Sequence, residues 1–115
     1  MNKTLNLLHK GFVSSSGKTP EFMDFTKTFK AELRSVLKVM RCQNITFNVG
    51  HFYISGFFDD ANGQLWYFSI DDVRWMSDMT LLVRTAQHRK DYTGGTNRYA
   101  PLNNLQQTLS VLINR

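Results

Sequence analysis

The sequence has 115 residues, of which 42% are hydrophobic and 13% aromatic, a composition typical of one globular domain with a single core. No apolar run approaches the roughly 20 residues of a membrane span. Residues 1–20 lack the apolar stretch of a signal peptide. A single cysteine, Cys42, excludes an internal disulfide bond and fits a reducing compartment. We therefore expect a cytoplasmic protein that is not in the membrane and has no cofactor.

The net charge of +5 is distributed unevenly along the chain. Residues 1–41 have eight Lys or Arg against three acids, residues 42–78 have one against five, and residues 79–115 have five against one. Two basic ends therefore flank an acidic middle. Such an asymmetry favours an anionic partner for the basic ends.

The first predicted element is a long helix, which follows residues 1–18, a segment that we expect to be flexible. Thr19 and Pro20 suit the N-cap and the first position of a helix. Apolar residues then recur at intervals of three and four, which is the pattern of one helical face. The sequence predicts a helix from about Pro20 to Arg41, within a single domain of residues 19–115. Its apolar face consists of Phe22, Phe25, Phe29, Leu33, Val36 and Met40.

Three strands are predicted after this helix. Residues 45–58 are rich in β-branched and aromatic side chains and are interpreted as one strand with a bulge or kink at Gly50. Asn62 and Gly63 suit a tight hairpin turn, after which residues 64–70 return as the second strand. Residues 79–86 form the third predicted strand.

A second helix is predicted to begin at Pro101. The resulting fold class is α+β, in the order α-β-β-β-α, with a three-stranded antiparallel sheet packed against two helices on one face. The other sheet face would carry Tyr53, Phe57, Tyr67 and Arg84. This face is either an exposed contact surface or is covered by the N-terminal segment. The apolar face of the second helix consists of Leu102, Leu105, Leu109 and Leu112.

Five cations on the first helix form the most informative pattern in the sequence. At 3.6 residues per turn they fall within an arc of roughly 80°, nearly opposite the apolar face. Like charges three and four residues apart repel each other, so helix stability alone does not favour this row. The row is either a solvated helix face or an anion-binding surface. We name it the basic stripe: Lys27, Lys30, Arg34, Lys38 and Arg41.

Residues 88–101, HRKDYTGGTNRYAP, combine cations with tyrosines and a Gly-Gly pair. Arg89, Lys90 and Arg98 are candidates for a second anion-contacting cluster. Tyr92 and Tyr99 are candidates for stacking on bases or for contact with a partner, and Tyr53 and Tyr67 are further candidates. The Gly-Gly pair belongs to no known phosphate-binding motif, so we interpret it as a turn.

The sequence contains no convincing catalytic set. The histidines lie in separate segments without the spacing of metal ligands, and Asp59-Asp60 and Asp71-Asp72 occupy positions typical of turns. Cys42 has no neighbouring base in its motif context, and no G-x-S-x-G is present. We predict no metal site and no enzymatic activity. A magnesium-dependent nuclease centred on the four aspartates is the enzymatic alternative.

Two resemblances follow from these patterns. The order α-β-β-β-α resembles the double-stranded RNA-binding domain, although the last helix begins PLNNLQQTL and lacks the lysines with which that family grips RNA. The stretches GHFYISGFF, WYFSIDDVRW and LLVRTAQHRKDYTGG are similar to small uncharacterised proteins of bacterial phages and mobile elements. That second likeness implies an accessory role and transfers no functional residues.

These observations favour a non-enzymatic binding protein of a bacterial mobile element, which contacts nucleic acid or a nucleoprotein through its basic surfaces. The alternative is a protein-interaction module, such as an inhibitor of a host defence complex. The choice between DNA and RNA and the oligomeric state stay open.

Overall fold

The computed structural model describes residues 20–50, 53–70, 80–91 and 95–113. They form an α+β fold with two helices and a five-stranded antiparallel sheet, whose strands follow chain order from one edge to the other. Neither helix in these ranges has the length and apolar character that crossing a membrane requires. The elements are α1 (Pro20–Val39), β1 (Gln43–Val49), β2 (Ile54–Asp59), β3 (Leu65–Ile70), β4 (Thr80–Thr85), β5 (Arg98–Pro101), a 3-10 turn (Leu102–Asn104) and α2 (Leu105–Ile113).

The prediction of three strands is wrong, and the first correction concerns residues 45–58. This segment forms two strands because the chain reverses direction after Gly50. The Gly50 N–H donates to the Tyr53 carbonyl oxygen at 3.0 Å, and Val49 pairs with Ile54 across the reversal. Gly50 therefore precedes a hairpin turn instead of a bulge within one strand.

The second correction is β5, which lies in the segment predicted to be a loop. Leu81 pairs with Ala100 and Thr80 pairs with Pro101, and the Ala100 side chain is fully buried. Pro101 therefore ends a strand, and helical structure begins one residue later than predicted. A four-residue strand has no periodicity of its own to detect, so its existence depends on pairing with β4. With five strands, the order α-β-β-β-α on which the similarity to the double-stranded RNA-binding domain was based is not the order of this chain.

Both helices pack on one face of the sheet, as predicted. The side chains of Phe25, Phe29, Leu33 and Leu37 are fully buried, and Leu37 was not among the residues predicted for the apolar face. Val36 and Met40 are half-buried against the same core, whereas the side chain of Phe22 lies outside the described part. The strand residues of the core occupy alternate positions, such as Trp66, Phe68 and Ile70, and therefore point to this one face. The rest of the core is Ile54, Phe58, Trp66, Phe68, Ile70, Leu81, Val83, Ala100, Leu102, Leu105, Leu109 and Ile113.

Gly56 occupies the centre of this face and has no side chain to fill it. Its register partners are Phe47 on β1 and Phe68 on β3. The two phenylalanine rings meet above the glycine with centroids 5.6 Å apart in an edge-to-face arrangement. The edge strand β1 is therefore tied to the middle of the sheet by an aromatic contact that passes over β2.

The other sheet face carries the predicted row of Phe57, Tyr67 and Arg84, which are register partners on three adjacent strands. Phe57 and Tyr67 pack edge to face at 5.3 Å, and the Arg84 guanidinium lies 4.5 Å from the Tyr67 ring centroid. Phe57 is only 5% exposed, so this end of the row is not an accessible contact surface. Residues 1–18, predicted to be flexible, lie outside the described residues.

The predicted hairpin turn between β2 and β3 is confirmed. Gly63 has a φ of 85°, which glycine adopts without steric cost. The Asp60 carboxylate accepts hydrogen bonds from the backbone N–H groups of Asn62 and Gln64 at 2.8 and 3.0 Å. Its second oxygen accepts one from the buried Trp66 indole at 2.9 Å. Asp60 therefore organises the turn and anchors it to the core.

Candidate nucleic-acid interface

The basic stripe lies along one side of α1 and continues past its C-terminal end. Lys27, Arg34, Lys38 and Arg41 are exposed, and Lys30 is half-buried. Within the described ranges, none of the five forms an ion pair with a carboxylate. The stripe is therefore a row of cations whose charge is not neutralised by described acidic residues, and its mutual repulsion destabilises the helix slightly.

The middle of the basic stripe rests on the edge strand. The Lys30 ammonium and the Arg34 guanidinium lie 5.4 and 5.0 Å from the centroid of the Phe47 ring. Each contact is worth about 0.5–1 kcal/mol at a partly exposed site. Lys30 and Arg34 therefore reach the side of α1 that faces β1, whereas the helical periodicity predicted a stripe nearly opposite the apolar face. Phe47 fixes the two cations beside β1.

The last residue of the stripe has an unusual backbone conformation. The Cys42 N–H donates to the Leu37 carbonyl oxygen at 2.9 Å, and the Arg41 N–H donates to the Lys38 carbonyl oxygen at 3.0 Å. This pair of bonds is a Schellman motif, which places Arg41 at the position where glycine is preferred. Arg41 has a φ of 60°, in the left-handed region. An arginine is therefore kept where a glycine would fit the backbone better.

Replacing Arg41 by glycine is expected to stabilise the protein and to weaken anion binding at the same time. Removing the side chain relieves a left-handed conformation that costs about 1 kcal/mol, so the free energy of unfolding in urea should rise by about that amount. Arg41→Ala is the matched control, because it removes the cation but keeps a Cβ in the left-handed region. A lower stability for Arg41→Gly would mean that the guanidinium stabilises the helix end by more than the strain costs.

The second predicted cluster does not form a single patch. Arg89 donates to the Thr46 hydroxyl at 3.2 Å and pairs with the Asp59 carboxylate at 3.4 Å. Lys90 is exposed. Arg98 instead lies 5.3 Å from the Trp66 ring centroid and donates to the Leu112 carbonyl oxygen at 3.1 Å. Arg98 therefore joins β5 to the end of α2, and Arg89 and Lys90 make up the outward-facing part of the cluster.

The two groups of cations meet at the edge strand β1 from opposite faces of the sheet. Phe47, beneath Lys30 and Arg34, points to the helix face. The neighbouring Thr46, which Arg89 contacts, points to the other face because side chains alternate along a strand. The basic residues therefore flank one edge of the sheet instead of sharing one flat surface.

The tyrosines predicted for stacking lie apart from one another. Tyr53 is 39% exposed beside the turn between β1 and β2, and Tyr99 is 55% exposed on β5 at the opposite sheet edge. Tyr67 is half-buried beneath Arg84. Tyr92 lies outside the described residues. Among the described tyrosines, Tyr53 is therefore the one on the hairpin that contains β1.

The groups considered for catalysis are engaged structurally where they are described. Asp59 bonds to Asn44 and Arg89, and both oxygens of Asp60 accept hydrogen bonds in the turn. Burial, together with the negative charge of Asp60, raises the pKa of the Cys42 thiol to about 11, so that it is protonated at neutral pH. Residues 20–50, 53–70, 80–91 and 95–113 contain no group of three or more His, Cys, Asp or Glu side chains that could hold a metal ion. Asp71, Asp72, His9 and His51 lie outside these ranges.

Phe47 and Thr46 were not among the predicted site residues, although they position the cations. Their alternation within a β-branched and aromatic segment indicated a strand, but not that the strand lies at the sheet edge beneath α1. That position depends on the packing of the helix. No protein-family model, curated protein or solved structure matches this chain.

Proposed function

We propose that this protein binds nucleic acid through its phosphate backbone, with the basic stripe of α1 as the contact surface. The observation that carries the proposal is that none of these five cations is ion-paired within the described residues. On the other face of β1, Arg89 contacts Thr46 and is paired with Asp59, and the neighbouring Lys90 adds an exposed cation.

The dimensions of the stripe suit a row of phosphates. Within α1 the stripe runs from Lys27 to Lys38, eleven positions, a span of about 16 Å at 1.5 Å per helical residue. Phosphates on one strand of a duplex are separated by a few ångströms along the axis, so a helix of this length reaches several of them. Such contacts position a protein on nucleic acid without reading its sequence.

The proposed role is non-enzymatic, and its proposed setting is a bacterial mobile element. The structural contacts of Asp59 and Asp60 and the raised pKa of the part-buried Cys42 thiol support a binding protein over a hydrolase. The setting is supported by the similarity of GHFYISGFF, WYFSIDDVRW and LLVRTAQHRKDYTGG to small proteins of bacterial phages and mobile elements. A metal-dependent nuclease would require Asp71 and Asp72, and magnesium-dependent cleavage abolished by Asp72→Ala would replace the present proposal.

The test is the salt dependence of electrophoretic retardation. On a duplex, five phosphate contacts predict a slope of about −4.5 when the logarithm of the association constant is plotted against the logarithm of the salt concentration. Binding should therefore weaken by a few hundredfold between 50 and 200 mM salt. The double variant Lys27→Gln/Lys38→Gln should bring the slope to about −2.7. Both residues are exposed, so their replacement leaves the core intact.

The matched control is Gln106→Glu/Gln107→Glu on the exposed side of α2, which lowers the net charge by the same two units. It should leave the slope unchanged, since α2 is not part of the proposed surface. Absence of retardation at 50 mM salt on both a duplex and a single strand would exclude the proposal. If both double variants lowered the slope equally, net charge alone would explain the binding, and α1 would not be the contact surface.

A further inference from the structure

The edge strand β1 lacks most of the usual features that prevent edge strands from pairing, and its one irregularity, a register shift between Gln43 and Thr46, lies before Phe47 and Val49. Its sequence, QNITFNV, contains neither a charged residue nor a proline over seven residues. Edge strands are commonly protected by lysines, prolines or a very short length. The other edge strand of the described sheet, β5, is only four residues long and ends at Pro101, which has no N–H. The two edges are therefore not equivalent.

The register identifies the backbone groups that β1 turns outward. The hydrogen bond between Gly50 and Tyr53 makes them a bonded pair. Bonded and non-bonded pairs alternate along an antiparallel ladder. The pairs Val49–Ile54 and Phe47–Gly56 are therefore non-bonded, so the N–H and C=O groups of Phe47 and Val49 point away from β2. Val49 is 40% exposed, which leaves this edge accessible.

The charges beside this edge select the kind of strand that could be added. Lys30 and Arg34 lie over Phe47 on one face, and Arg89 contacts Thr46 on the other. Two copies of this chain paired edge to edge would bring their own cations together, which is unfavourable. A strand with acidic side chains would instead meet cations on the helix face.

We propose that β1 binds an extended acidic peptide segment of a protein partner as an additional antiparallel or parallel strand. The backbone groups of Phe47 and Val49 would provide the hydrogen bonds, and Lys30 and Arg34 would attract carboxylates of the incoming strand. This inference does not depend on nucleic-acid binding. The two ligands would share Lys30 and Arg34 but differ in their need for the strand edge.

Fluorescence anisotropy with a labelled eight-residue peptide, in which glutamate alternates with valine or threonine, tests the proposal. A second peptide carries N-methyl groups on the amides of one edge and a third carries glutamine in place of glutamate. Binding should be at least tenfold weaker for the second and third peptides. The second lacks the backbone N–H groups of one edge, and the third lacks the carboxylates. Equal binding of the N-methylated peptide would reduce the interaction to charge attraction and overturn the proposal.

The variant Val49→Pro removes one outward N–H at an exposed strand position where proline is tolerated. It should weaken peptide binding at least tenfold and leave nucleic-acid retardation unchanged, whereas Lys27→Gln/Lys38→Gln should do the reverse. If the proline variant fails to fold, amide hydrogen exchange in the natural chain gives the answer. The Phe47 and Val49 amides should exchange more slowly with peptide bound. Unchanged exchange, or concentration-dependent self-association without peptide, would overturn the proposal.

Discussion

Replacing Gly56 by alanine is expected to destabilise the protein by about 3 kcal/mol or more, the cost of overpacking a tight core position. A Cβ at this position would collide with the carbonyl oxygen of Thr46 and approach a ring carbon of Phe68 to 2.7 Å. The first obstacle is backbone, so β1 would have to move away from β2. A domain of this size has a total stability of about 5–15 kcal/mol, so this change removes a large part of it. Urea denaturation followed by circular dichroism measures the effect.

Gly63→Ala is the matched control for this prediction. Gly63 has a positive φ, but a Cβ there would meet no atom within 4 Å. Its replacement should cost about 1–2 kcal/mol, the penalty of a left-handed residue without a collision. The ordering of the two variants is what matters. If Gly63→Ala were the more damaging, the close approach of β1 and β2 at Gly56 would not be the reason for the glycine.

The Gly56→Ala substitution also links the fold to the proposed site. Phe47 reaches Phe68 over Gly56, and Lys30 and Arg34 rest on Phe47. Displacing β1 would therefore displace the ring on which the middle of the basic stripe lies. A variant that remains folded at low temperature should show weaker peptide binding at β1 as well as lower stability, because both depend on the same strand.

The helix α1 was predictable because its signal is local. The apolar residues recur with the helical period over five turns, and the structure has the helix at Pro20–Val39. The division of residues 45–58 was not predictable on the same basis, because a lone glycine within an apolar run is compatible with either a bulge or a turn. The short strand β5 depends on pairing with β4, which no local pattern of four residues encodes.

The candidate site shows the same division between local and tertiary information. The spacing of Lys27 to Arg41 predicted one row of cations, of which those from Lys27 to Lys38 lie within α1 and Arg41 follows its end. The engagement of Arg98 with Trp66 and the Leu112 carbonyl depends on where α2 ends relative to β5. The positive charge of Arg98 alone could not distinguish a contact within the fold from a contact with phosphate. Charge patterns therefore indicate candidate contacts, and packing decides which of them face solvent.

Replacing Asp60 by alanine is expected to lower the free energy of unfolding by about 3 kcal/mol, since unsatisfied buried polar groups cost about 1–3 kcal/mol each. The side chain accepts two backbone hydrogen bonds in the turn and one from the Trp66 indole. Trp66 is 3% exposed, so its N–H would lose its partner in a position that water does not readily reach. Chemical denaturation again provides the measurement, with tryptophan fluorescence as the local readout.

The adjacent Asp59 supplies the control, because the chain places two aspartates side by side in different environments. Asp59 pairs with Arg89 at the surface, where both side chains retain solvent contact, at 27% and 38% exposure. Exposed ion pairs contribute about 1 kcal/mol or less, so Asp59→Ala should be nearly neutral. In a double-mutant cycle, Asp60→Asn and Trp66→Phe should be strongly coupled. In Asp60→Asn the side-chain NH2 group would face the indole N–H, so that two donors meet, and Trp66→Phe removes this conflict. Equal effects of the two aspartate substitutions would show that the buried hydrogen bonds do not hold the turn. In that case Asp60 would become available as a candidate for the metal-dependent chemistry that its structural role otherwise opposes.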